Sequence, residues 1–152
     1  MPVTQWLDDK LPELDAGLWR LEVRSLGATR ALTYDEILGF DDEIRATLDC
    51  TGGWFASQDW SGVRVDRLLE PDPDAQSFVA VSVTGYARRL PIAEASRMVL
   101  ATRVGGLPLS VGHGYPLRLV APGRRGFWWV KWVERIEASS TPWWWQSPFP
   151  LT

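Results

Sequence analysis

Asparagine is absent from this chain of 152 residues, and cysteine and histidine occur once each, at Cys50 and His113. A lone cysteine excludes a disulfide within the chain and says little about redox compartment. One cysteine and one histidine fall short of a tetrahedral zinc site unless two carboxylates complete it. Without asparagine a Cys-His-Asn hydrolase set is excluded, although His113 remains available as a base for Cys50. The formal net charge of -3 lacks the basic excess of a nucleic-acid surface. No apolar run reaches the ~20 residues of a membrane helix. The start, Met1-Pro2-Val3-Thr4-Gln5-Trp6 running into Asp8-Asp9, has neither the basic region nor the apolar core of a signal peptide.

What the chain does have is a hydrophobic fraction of 45% and ten tryptophans. The first fits a globular chain with a real core. The second points to flat aromatic surfaces for a large ligand or a neighbouring protein segment. Trp19, Leu21 and Val23 alternate with Arg20, Glu22 and Arg24, as in a half-buried strand closed by Gly27. Thr33 with Glu36 is a capping-box signature, so Tyr34 to Leu38 is expected as a short helix stopped by Gly39. Ile44, Ala46, Leu48 and Cys50 alternate again, which puts the thiol on the apolar face where Gly52-Gly53 breaks regularity.

Further on, Asp66 to Leu69 is expected as a helical piece and Phe78 to Val83 as a strand. Pro91 suits the start of a helix from Ile92 to about Ala101, ended by Gly105-Gly106. Leu117 to Val120 and Phe127 to Ile136 are expected as strands, with a turn at Pro122-Gly123 between them. Prolines keep the Trp/Pro-rich tail, residues 141–152, out of regular structure, and its tryptophans are expected to face another part of a longer protein. The pattern predicts a β-rich α+β fold with short helices, residues 1–152 forming one domain.

Three clusters carry chemistry. Cys50 stands in Leu48-Asp49-Cys50-Thr51-Gly52-Gly53-Trp54, where the residues alone leave a nucleophile, a metal ligand or a packed thiol open. A soft metal carried by an organic cofactor would need only this one thiolate. The second cluster is Gly112-His113-Gly114-Tyr115-Pro116-Leu117-Arg118, and the third runs from Pro122-Gly123-Arg124-Arg125-Gly126 to Trp129-Val130-Lys131-Trp132. Glycines let a ligand approach backbone, and Arg and Lys neutralise an anion such as phosphate.

From about Trp19 to Glu137 the set resembles the molybdopterin-binding domain of the sulfite oxidase family: Cys50-x-x-x-Trp54, Trp60-x-Gly62, the His113–Arg118 cluster, Pro122-Gly123-x-x-Gly126 and Val130-Lys131-Trp132. The resemblance implies a molybdenum-dependent oxidoreductase that moves an oxygen atom to or from a small-molecule substrate. It implies Cys50 as thiolate ligand to molybdenum, and Thr84, His113, Arg118, Trp129, Val130 and Lys131 as contacts of the molybdopterin. It also implies an electron-transfer partner, such as a membrane-embedded region of a longer, extracytoplasmic protein. Thr102 and Gly105 stand where sulfite oxidases carry a tyrosine and an asparagine, which counts against sulfite as substrate and leaves the substrate open. The resemblance also implies a cofactor-contacting segment well upstream of the cysteine, which the stretch before Cys50 is too short to contain. Arg88, Arg89 and Arg103 are candidate cations for an anionic substrate. The alternative is a fold relative without catalysis that serves as a binding or interaction module.

Overall fold

The structure, a computed structural model, describes residues 12–49 and 55–148. Among the described residues ten strands form two sheets with few short helical pieces between them, the β-rich mixed architecture the pattern predicts. The first sheet has the order β2-β1-β10-β5-β6, from Ala28–Thr33, Arg20–Ser25, Val133–Ser139, Ser77–Ser82 and Ala87–Pro91 respectively. Its central β1–β10 pair is parallel and joins the two ends of the described chain; the other pairs are antiparallel. The second sheet runs β3 (Asp42–Asp49), β4 (Phe55–Arg64), β7 (Val99–Val104) and β8 (Leu107–Pro108), with β9 (Arg118–Val120) also on β7. Leu21, Val23, Phe78, Leu90 and Ile136 of one sheet and Leu48, Trp60, Val63, Leu100 and Leu119 of the other join a single hydrophobic cluster. Burial of this kind supplies ~25 cal/mol per Å² of apolar surface.

Local signals succeed where the chain itself closes the structure. Helix α1 (Tyr34–Leu38) follows Thr33, whose hydroxyl accepts from the Glu36 amide at 3.1 Å while the Glu36 carboxylate accepts from the Thr33 amide. So short a helix depends on its cap. Thr33→Ala is therefore expected to cost about 1 kcal/mol, read as a lower urea midpoint at unchanged slope. Helix α2 (Val65–Leu68) likewise lies where expected.

Two expected elements are different in the structure. The helix from Ile92 to Ala101 is only a 3-10 turn over Ile92–Arg97, and Val99–Val104 is strand β7. Among Ile92–Arg97 only Ala95 is buried, so nothing rewards further helical turns. Val99, Leu100 and Ala101 instead pair with β4 on one edge and β9 on the other, and tertiary pairing overrides local propensity. Gly105 and Gly106, both with positive φ, do not end a helix; they form the tight turn of the β7–β8 hairpin. The long strand from Phe127 to Ile136 is also divided. Gly126–Trp128 is a 3-10 turn and β10 begins only at Val133, because Trp132 at φ 54 breaks the extended backbone.

The tail divides too. Trp143 packs edge-on against Trp128, and the Gln146 side chain binds the backbone of Arg89 on the outer edge of β6. Trp144 and Trp145, however, are 61% and 64% exposed.

Candidate functional site

The loop between β8 and β9 and the segment between β9 and β10 are laid against one another. Ser110 starts the first: its hydroxyl accepts from the His113 amide at 3.3 Å and lies 2.6 Å from His113 Nδ1, fixing backbone and ring together. Gly114 follows in the left-handed region at φ 115, and a Cβ there would stand 2.9 Å from the Arg118 Cβ. Glycine at 114 is thus what lets the loop close onto the arginine stem.

Arg118 opens β9, paired with Ala101, and is 3% exposed. Its Nη1 donates to the His113 carbonyl at 3.1 Å. Its guanidinium carbon lies 5.7 Å from the ring centres of both Trp60 and Trp129, which themselves meet edge-on at 5.5 Å. The Lys131 ammonium donates to the Gly112 carbonyl at 2.9 Å, and the Trp132 indole N–H to the Val111 carbonyl at 2.7 Å. Backbone bonds complete the contact: Leu119 N–H donates to Val130 O, and Val133 N–H to Leu117 O. Two cations from distant positions therefore converge on consecutive carbonyls of one turn. At such low exposure a guanidinium acts through a reduced local dielectric and attracts an anion more strongly than it would in water.

Of the residues singled out from the sequence, the structure brings together His113, Arg118, Trp129, Val130 and Lys131. Thr84 is exposed in the turn between β5 and β6, its hydroxyl donating to Ser82 Oγ at 3.0 Å. That turn reaches the cluster through Val83, whose N–H donates to the Trp132 carbonyl at 2.8 Å. Cys50 lies outside the described residues; Asp49 before it ends β3, where Ile44, Ala46 and Leu48 occupy the register positions facing β4 residues Trp60, Gln58 and Ala56. Among the described residues no group of three or more His, Cys, Asp and Glu could hold a metal ion. Ser110, Gly114 and Trp60 shape the cluster without having been assigned a part in it. The Ser-x-x-His spacing was the available signal for Ser110, as for a cap.

Arg89 and Arg103 separate from the cluster's cations. Arg89 donates to Ser77 Oγ and Ser139 Oγ, and Arg103 sits exposed near Tyr34, whose hydroxyl is pushed up by burial and then by Tyr115, with Arg103 opposing. Tyr86 ties the β5–β6 turn to the segment leading into Trp129, its hydroxyl donating to the Phe127 carbonyl. Burial pushes this phenol up to about 12, with Arg88 opposing. A folded-state value above the unfolded ~10 means that its contribution is intact below pH ~10 and is lost as pH rises through the folded value. Unfolding free energy is expected to fall across that alkaline window, and Tyr86→Phe to flatten the fall. An unchanged slope in the variant would place the titration elsewhere.

Known proteins resemble this chain in sequence and fold over most of its length. The chain is 27% identical over 167 residues to mitochondrial sulfite oxidase of Mus musculus, covering 86% of this chain and 31% of that protein. It is 29% identical over 166 residues to the NADH nitrate reductase of Hordeum vulgare, covering 83% of this chain and 18% of that protein. The sulfane dehydrogenase SoxCD of Paracoccus pantotrophus superposes with a TM-score of 0.79 at 25% identity, over 86% of this chain and 40% of that one. The chain thus spans about a third of the length of the sulfite oxidase it matches. A family described as the oxidoreductase molybdopterin binding domain matches residues 9–146. Its cofactor, an anionic pterin bearing a phosphate, suits a donor set of one buried guanidinium, one ammonium and a glycine-lined turn. By the extent of that match, over nearly its whole length, the chain belongs to the oxidoreductase molybdopterin binding domain family.

Proposed function

We propose that this domain holds the molybdenum cofactor through the Cys50 thiolate and the cluster of Thr84, His113, Arg118, Trp129, Val130 and Lys131, and that it serves oxygen-atom transfer to or from a small substrate. The observation that carries this reading is the convergence of Arg118 and Lys131 on the carbonyls of His113 and Gly112. When bound, the cofactor supplies two-electron redox chemistry at a metal that needs a soft protein ligand.

The chain's own residues supply binding and orientation. Arg118 keeps its charge at any ordinary pH and offers a planar fork to phosphate oxygens, while Lys131 contributes a point charge on a flexible stem. Their carbonyl partners aim both groups before any ligand arrives, which lowers the ordering cost of binding. Trp60 and Trp129 exclude water from one side of the guanidinium, which strengthens its attraction for an anion. Ser110 holds the His113 ring in one orientation. A thiolate at Cys50 is soft and anionic, and a nearby cation favours the deprotonated form.

Electrons would pass to or from a partner, for which a membrane-embedded region of a longer protein is the proposal. By the sequence resemblance Thr102, 2% exposed, stands where sulfite oxidases carry a tyrosine, and on that ground a substrate other than sulfite is proposed.

Expression in a host that makes the cofactor, followed by metal and pterin analysis, tests this. Stoichiometric molybdenum is expected, and Cys50→Ser is expected to lose it. Absence of molybdenum from the wild-type chain, even when extended upstream, would sink the proposal.

A further inference from the structure

Trp128 and Trp129 are neighbours in the chain but share no guanidinium: Arg118 lies beside Trp129, and Arg88 and, at 4.9 Å, Arg124 lie against Trp128. Trp128 carries Arg88, whose guanidinium carbon stands 4.1 Å from the ring centre, with Phe127 at 5.6 Å. Arg88 belongs to β6 and is 3% exposed. The sequence offers it as a candidate cation for an anionic substrate; the fold buries it. An arginine cannot discharge itself by losing a proton, so such burial carries a desolvation cost that a carboxylate ordinarily offsets.

Arg88 forms no ion pair among the described residues. The titratable groups that act on it are Tyr86 and Arg124, and Arg124 is taken up by Glu94 at 2.8 and 3.1 Å. Arg88 has one neutral acceptor: Nη2 donates to the Ser147 carbonyl at 2.9 Å. Nε is buried and has no acceptor among the described residues. Nε–H and Nη2–H point from the same edge of the guanidinium, the fork that receives two oxygens of a carboxylate or phosphate. Here a peptide carbonyl fills one prong, and no group among the described residues fills the other.

The segment that presents Ser147 is tied down by a side chain. The Gln146 amide donates to the Arg89 carbonyl at 2.7 Å and to the Trp143 carbonyl at 2.6 Å, and accepts from the Arg89 N–H at 2.9 Å. A primary amide thus occupies the open edge of β6 as a neighbouring strand would. The Ser147 carbonyl is held against Arg88 by this latch.

We propose that the Nε–Nη2 edge of Arg88 is a binding site for a small oxyanion, which takes both prongs in place of the Ser147 carbonyl, against the indole face of Trp128. This site is separate from the Arg118 cluster and does not rest on the cofactor reading. The gain is the replacement of one neutral bond and one unmet donor by two charge-assisted bonds.

Thermal unfolding in phosphate or sulfate, against chloride at matched ionic strength, tests it. An Arg118→Gln background removes the competing anion acceptor. A saturable rise in Tm is expected there, by linkage of binding to folding. Arg88→Gln should abolish the saturable part and leave only the non-specific rise that such salts produce. Gln146→Ala, which loosens the Ser147 carbonyl, should tighten apparent oxyanion affinity roughly fivefold, the equivalent of one lost hydrogen bond. Equal saturable shifts with and without Arg88 would overturn the proposal. So would an apparent affinity unchanged or weakened by Gln146→Ala, a result that decides the matter even if the Arg88 variant does not fold.

Discussion

Arg118→Met is expected to weaken retention of the molybdenum cofactor roughly 100-fold, about 3 kcal/mol, while the chain stays folded. Methionine fills much of the space against Trp60 and Trp129 and adapts its shape to the gap, so the apolar packing survives. What it removes is a permanent charge, 3% exposed, which no other described residue can supply at that point in β9. Lys131→Met should cost less, because Lys131 is only partly buried and its flexible stem gives weaker geometric selection. Molybdenum per chain during dialysis against a chelator-free buffer, with circular dichroism as the folding control, reads the difference. Equal retention by wild type and Arg118→Met would remove Arg118 from the cradle.

Gly62→Ala is expected to be strongly damaging, at about 4 kcal/mol or more and a fall in Tm of roughly 10 °C or more. An alanine Cβ there would stand 1.9 Å from the Leu100 carbonyl oxygen, 2.8 Å from the Ala101 Cα and 2.9 Å from the Leu100 carbonyl carbon. All three are backbone atoms of β7, so no rotamer change relieves the clash; the strands must separate. The cause is a register shift. Ser61 pairs with Arg103 and Gly62 with Ala101, which leaves Thr102 as an extra residue on β7 and bends that strand toward β4. Gly27→Ala provides the contrast. A Cβ at Gly27 meets nothing within 4 Å, and only its φ of +73 opposes the change, for an expected loss of about 1–2 kcal/mol. Denaturant titration of both variants separates the two mechanisms. Similar losses for the two would mean that the β4–β7 spacing adapts freely.

The elements legible in the sequence are those whose cause is local. The Thr33–Glu36 box closes α1 through bonds within four residues, and alternation at Leu21 and Val23 suffices for β1 because one face is buried along its length. Strand β2 leaves no such signal because its residues are mostly exposed and carry no alternation. Strand β7 is not legible in the sequence because Ile92 to Ala101 has acceptable helical residues, and only partners far away in sequence at β4 and β9 decide the matter. The same holds at Phe127 to Val130, four buried residues in succession, which local alternation cannot sort into faces.

In the candidate site the sequence by itself determined which groups are available: one thiol, one imidazole, Arg118, Lys131 and the glycines that let backbone approach a ligand. That list, with its order and spacing, was enough to point to the family. The tertiary structure alone decided which groups meet. It set Arg118 and Lys131 on adjacent carbonyls of one turn, closed Gly114 over the arginine stem, and sent the rings of Trp128 and Trp129 to different guanidinium groups. Residue types follow from the chain, but the distances that give a buried charge its strength arise only when strands remote in sequence pack together.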